Sequence, residues 1–153
     1  MSEEAAAGGA DGVIIVARFS LTIDGVEIAQ FSELVAISSE VEPIEVVEQD
    51  GNRSFLKKLP GKRKPPTVTL KRGKNKNMGI FAWHQSVVEG QLTQARKNCT
   101  LTMFSAAGEP VARYLLENAW PAKIEIGAAE AGPNGTLTET VTLTCDNLRR
   151  VAP

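Results

Sequence analysis

Apolar and polar positions alternate with period two over much of this chain, the pattern of strands with one wet face. Phe19, Leu21 and Ile23 interleave with Ser20 and Thr22, and Val26 and Ile28 flank Glu27. Asp24-Gly25 lies between the two runs. Both residues tolerate positive φ, which makes the pair a favoured hairpin turn, so 13–23 and 26–31 are predicted as paired strands. Segments 34–39, 44–47 and 67–71 continue the pattern, as do 98–104, 111–116 and an extended piece at 118–126 interrupted by Pro121. The clearest alternation is at 137–145. Leu137, Glu139, Val141, Leu143 and Cys145 share one side, and Thr138, Thr140, Thr142 and Thr144 the other. A threonine ladder favours strand over helix.

One segment changes period. Ile80, Phe81, Trp83, His84, Val87 and Val88 fall at helical spacing, which predicts a helix over 77–91. Asn77 is placed to cap its start, and Gly90 lies near its end. His84 borders the apolar face and reads as a packing residue with one satisfied nitrogen. Seven or eight short strands joined by local hairpins, with one helix, predict a mainly β protein. The expected fold is a small antiparallel β-barrel or two-layer sandwich with the helix packed on its side or end.

Two stretches fall outside the pattern. Residues 1–12 are small and acidic and are expected to form a flexible tail ahead of a single domain at 13–153. Between 50 and 66 the alternation stops. Asp50-Gly51-Asn52, Pro60-Gly61 and Pro65-Pro66 punctuate it, which predicts a loop of about fifteen residues, a length that usually marks function or disorder. Phe55, Leu56 and Leu59 argue against plain disorder and point to a docking role. Residues 127–135 read as a second, Gly-rich loop.

Composition sharpens this picture at one place. The 153 residues are 42% hydrophobic and 23% charged, with a net charge of −1, an ordinary globular balance. The charges, however, are sorted. Residues 1–52 hold eleven acids and one base, and residues 53–76 hold ten bases and no acid. Such blocks can attract each other within one chain or between copies, setting register more than affinity. Lys62-Arg63-Lys64 is also a short basic cluster of the kind found in nuclear signals, a common coincidence. The near-neutral total argues against a nucleic-acid binder. So does the single aromatic, Phe55, within the basic run, because single-strand binders pair a basic groove with several stacking rings. A nucleic-acid-binding β-barrel module using 53–76 is the alternative reading, and a small ligand-binding barrel is a third.

Catalytic motifs are missing. There is one histidine, no G-x-S-x-G elbow and no H-E-x-x-H pair. Gly73-Lys74 lacks the upstream glycine and the hydroxyl residue of a phosphate loop. Cys99 and Cys145 with one histidine do not make a zinc site, and they read as small buried thiols. The expectation is no enzyme, no cofactor and no metal. The start of the chain has no basic, apolar leader, and the run 13–17 is too short to span a membrane. Synthesis in the cytoplasm without a signal peptide is expected, with no stable membrane insertion.

The segments, taken in order, resemble the tail tube proteins of contractile phage tails and the inner tube proteins of extracellular contractile injection systems. FSLTIDGVEIAQFSELVAIS at 19–38 is similar to the family's opening hairpin, and VEPIEVVEQDGN at 41–52 to its acidic strand and turn. FLKKLPGKRKPPTVTLKRG at 55–73 resembles its Lys-Leu-Pro-Gly segment and following strand. FAWHQSV at 81–87 matches its Trp-bearing helix, and LTMFSAAGEPVARYLLENAWPAKIEI at 101–126 its strand, Gly turn, strand and Asn-Ala-Trp-Pro corner. Two stretches depart from the family pattern. Glu48 is followed by Gln49-Asp50 where relatives carry an aromatic and an arginine, and 127–136 is richer in Gly and Ala.

The resemblance implies a structural subunit that forms stacked hexameric rings, a hollow tube built from strands of every copy. It implies surrounding sheath, baseplate and cap proteins, a cargo protein or DNA in the lumen, and a final place in a phage tail or contractile injection particle. Under that reading, 53–66 is an arm crossing to an adjacent subunit or ring, with Phe55, Leu56 and Leu59 as anchors and Pro60-Gly61 as its bend. Arg53, Lys57, Lys58, Lys62, Arg63 and Lys64 would then face an acidic segment formed by Glu40, Glu42, Glu45, Glu48 and Asp50.

Overall fold

The structure, a computed structural model, describes residues 12–73, 75–128 and 135–153. The expected tail, apart from Gly12, lies outside the described residues, as does most of the 127–135 stretch.

The first hairpin forms as the alternation predicts. Strand β1 (Arg18–Ile23) and strand β2 (Val26–Phe31) pair antiparallel around Asp24 and Gly25, whose φ values are 51° and 78°. These are followed by β3 (Glu33–Asp50), β4 (Arg53–Gly73), helix α1 (Gly79–Val88), the single-turn α2 (Leu92–Ala95), β5 (Lys97–Phe104), β6 (Pro110–Ala128), β7 (Leu137–Thr144) and β8 (Asn147–Val151). All pairings are antiparallel, in the order β2-β1-β5-β6-β7-β4-β3, with β8 added against β6.

Strand β6 belongs to both halves of this sheet. Its first part pairs with β5 and β8, and from Trp120 onward it pairs with β7. The bend falls at Asn118, which has φ of 52°. Its N–H donates to Asn98 Oδ1 at 3.0 Å, and its side-chain amide donates to Asp146 Oδ2 at 2.9 Å. The strand expected at 111–116 and the extended piece expected at 118–126 are therefore one strand that changes layer. The sheet is open, and its two halves face each other across one core. Phe19, Leu21, Leu101 and Leu116 come from one half, and Val68, Leu70, Val141 and Leu143 from the other.

Helix α1 closes the side of this core. It is shorter than predicted, and it buries Ile80 and Trp83, with Val87 partly buried against the same cluster. Phe81 and Val88, read from the sequence as part of the inward face, are exposed. The inward stripe is i, i+3, i+7, and the other two lie off it. Asn77 Oδ1 accepts the Gly79 N–H at 2.8 Å, and so satisfies a donor that the first turn leaves free. The indole N–H of Trp83 donates to the Ala95 carbonyl, tying α1 to α2.

The largest difference from the sequence reading is at 50–66. The expected loop is instead the first part of β4, a 21-residue strand paired along the 18-residue β3. Beyond the point where β7 stops pairing with β4 at Thr67, the two strands form a ribbon with both edges free. A proline removes a donor that a free edge does not need, so Pro43 and Pro60 sit opposite each other beside an irregularity in the register. Gly61 lies within β4 at a close approach: a Cβ there would overlap the Ile44 side chain and lie 2.8 Å from the Glu42 carbonyl.

Candidate assembly interface

The acidic and basic blocks are largely the two strands of this ribbon. Acids on β3 run antiparallel to bases on β4, an arrangement in which opposite charges across the ladder stabilise pairing by a few tenths of a kcal/mol each, up to about 1. Glu40 is opposite Lys64, Glu45 opposite Lys58, Glu48 opposite Phe55 and Asp50 opposite Arg53. Lys64 reaches Glu40 at 3.5 Å and Glu42 at 3.9 Å, and Lys57 reaches Glu48 at 3.5 Å. All five side chains are about half exposed, so these pairs contribute about 0–1 kcal/mol each. The acidic segment that the basic residues were expected to meet on a neighbour is thus first met within the chain. Arg53, Lys58 and Lys62 form no ion pair among the described residues.

Arg63 has a different task. Its guanidinium donates to the Asp146 carbonyl and, at 3.5 Å, to Asn147 Oδ1. It fastens the root of the ribbon to the β7–β8 turn. From Glu40 to Asp50, at about 3.3 Å per residue, the ribbon is an arm on the order of 35 Å long.

Cross-strand partners share a face, so the register sorts the apolar residues. Phe55, Leu59, Ile44 and Val46 lie on one face, and Leu56, Val47, Pro43 and Pro60 on the other. Leu56 is 67% exposed, Val47 62% and Phe55 46%. A two-stranded ribbon wet on both faces is marginal alone, and here its apolar side chains are grouped on each face and exposed. All fifteen residues singled out from the sequence lie on this one ribbon, brought together by the β3–β4 pairing.

One charged pair escaped the sequence reading. Arg72 and Glu139 are both buried, with Nε donating to Oε2 at 2.9 Å. The Arg72 guanidinium also lies 5.3 Å from the Phe31 ring centroid. The signal was present: Arg72 continues the inward series Val68, Leu70, and Glu139 begins the inward series Val141, Leu143. A charge at an inward strand position requires a partner.

The remaining candidates are structural. His84 Nδ1 is 2.7 Å from the Pro121 carbonyl, which assigns the proton to that nitrogen. Cys99 and Cys145 are free and buried. Burial above all pushes Cys99 up to about 12 and Cys145 up to about 11, from an ordinary 9.0. Both thiols therefore resist alkylation at neutral pH and react only on unfolding, which a timed thiol assay with and without denaturant checks. Their folded pKa values are raised, so their contribution to stability is complete below about pH 9 and declines as pH climbs towards 11–12. Among the described residues no cluster of His, Cys, Asp and Glu could hold a metal, and no helix is long and apolar enough to cross a membrane.

Comparison with known proteins bears on this architecture. The family described as T4-like virus tail tube protein gp19 matches residues 16–149. Among solved structures, the chain is similar to one in the sheath–tube complex of an extracellular contractile injection system, PVC. Identity is 23%, coverage is 97% of each chain and the TM-score is 0.69. It is also similar to a chain in the PVC sheath/tube terminator, at 25% identity, 94% and 99% coverage and a TM-score of 0.71. A chain of the six-fold symmetrised anti-feeding prophage baseplate shares the fold, at 17% identity, 92% and 95% coverage and a TM-score of 0.68. Comparison with functionally curated proteins gives no match. The family match spans most of the chain, and the fold agrees along its length: the chain belongs to the T4-like tail tube protein family.

Proposed function

We propose that this chain is the repeating subunit of the inner tube of a contractile tail or injection system, forming hexameric rings that stack into a hollow conduit. The observation that carries the reading is the β3–β4 ribbon, whose apolar faces find no cover among the described residues. A second copy of the chain supplies that cover. Contact between an arm on one copy and a different surface on the next is heterologous, and heterologous contacts build rings or open-ended filaments.

Sheet edges support ring closure. The β6-β7-β4-β3 half ends in β3 on one side and the second part of β6 on the other. The four strands alternate in direction, so β3 of one copy meets β6 of the next antiparallel. Closure leaves this half with no exposed edge. The six-fold symmetry of the related baseplate supports six copies per ring. The sheath, terminator and baseplate settings of the similar chains support a sheath outside the tube and baseplate and cap proteins at its ends. Cargo, protein or DNA, occupies the bore, and the final location is a phage tail or injection particle. The role is structural, with no catalysis.

Negative-stain electron microscopy over rising protein concentration tests this. Six-fold rings or hollow filaments are the expected result. A chain that stays monomeric and binds DNA tightly with a steep salt dependence would overturn it in favour of a nucleic-acid module. The acids beside the basic strand already argue against that outcome.

A further inference from the structure

We infer, on the tube reading above, that the apolar segment 13–15 of one copy seats in the groove between α1 and the β1–β2 hairpin of a second copy. The two surfaces lie at opposite ends of β1. At its start, the Ala17 N–H donates to the Phe104 carbonyl at 2.8 Å, and Val16 packs against the core. Ahead of these, Val13 is 92% exposed, Ile14 44% and Ile15 78%. No backbone–backbone hydrogen bond holds these three among the described residues. Their apolar surface favours burial. Being β-branched, they are already stiff at χ1 and lose little side-chain freedom when covered.

At the other end, Ile23 and Ile28 of the hairpin and Gly79, Ala82, Trp83 and Ser86 of α1 line an open groove of about 360 Å³. That volume is at the small end of sites that take a ligand, and it suits short aliphatic side chains. Gln94 and Lys97 stand at its rim, and Arg96 precedes Lys97 in the chain. Both bases are exposed and form no ion pair among the described residues. The sequence ahead of Val13 holds Glu3, Glu4 and Asp11 and no base. Charge therefore favours the same match as the apolar surfaces, an acid-led apolar segment against an apolar groove with a basic rim.

A copy cannot fill its own groove. Strand β1 has six residues and so spans about 20 Å. The three free residues reach about 10 Å, and they start from the far end of that strand. A second copy set head to tail brings segment and groove together. Such a contact is heterologous and passes from copy to copy.

Cross-linking between two singly substituted chains tests this, because the two native thiols are buried. Ile15→Cys marks the segment and Ser86→Cys the groove. Should Ser86→Cys block assembly, Gln94→Cys replaces it. Glu109→Cys is the comparison, since its turn joins the Phe104 end of β5, at the end of β1 away from the groove. Tubes grown from an equal mixture of the segment and groove variants are treated with a short bismaleimide. A cross-linked dimer of the two variants is expected, at least about tenfold above the level given by Ile15→Cys mixed with Glu109→Cys, and absent from tubes of either variant alone. Tubes in which the segment and groove variants cross-link no more than the comparison pair would overturn the inference and leave the tube reading intact. So would tubes in which Ile15→Cys links mainly to itself. A wild-type chain that forms no ring or tube overturns both.

Discussion

Replacing Phe55, Leu56 and Leu59 together with serine is expected to leave a folded subunit that no longer builds tubes. The three side chains lie on both faces of the ribbon and are exposed in the single chain. In the monomer they contribute only cross-strand contacts of about 0.2–1 kcal/mol each. In the assembly each would bury apolar surface contributing about 1.5–3 kcal/mol. Removing all three weakens every contact by several kcal/mol, and about 1.4 kcal/mol is already tenfold in affinity. Thermal unfolding of the triple variant should fall within a few degrees of the wild type, while electron microscopy and sedimentation show no filaments. Normal tubes would remove the ribbon from the interface.

The structure also shows why charge reversal is the weaker experiment. Changing Lys57, Lys58, Lys62, Arg63 and Lys64 to Glu would set acid against Glu40, Glu42, Glu45 and Glu48 within the ribbon, and would release Arg63 from its anchor at Asp146 and Asn147. Loss of tubes would then report a broken arm as readily as a lost interface.

Arg72→Met is expected to be the most damaging single change to the fold. It leaves the Glu139 carboxylate buried without the guanidinium that meets it at 2.9 Å. Removing one partner of a buried pair costs about 3–5 kcal/mol. For a chain of this size that lowers the melting temperature on the order of 10 °C. The double variant Arg72→Met with Glu139→Leu replaces both charges with apolar groups at inward positions, and it should recover most of the loss. Calorimetry on the two variants checks this. A single variant that melts like the wild type, or a double that melts below the single, would show that the pair does not hold the two inward rungs as described.

Most of the sheet was legible because its information is local. The Asp24-Gly25 turn, the threonine ladder at 137–145 and the burial of both cysteines follow from neighbours one or two residues apart. Strand β8 was missed because Asn147–Val151, with two arginines, shows no alternation; it exists through pairing with β6. The ribbon was misread for the opposite reason. Its prolines and charges are poor strand signals one by one, and they become a strand when β3 supplies opposed acids and leaves free edges for the prolines. The candidate interface residues stand out through the sorted charges and the family resemblance, but their division between two faces depends on the register.

Neighbouring residues are enough to specify a β protein with a helical interruption, sorted charges and a set of tail-tube segments in order, because periodicity, turn chemistry and charge are local properties. The tertiary structure alone decided that the acidic and basic blocks are one hairpin, that Arg72 meets Glu139, and that β6 serves two layers. Those outcomes depend on which distant strands pair and in what register, and a one-residue slip in register would turn every side chain to the other face.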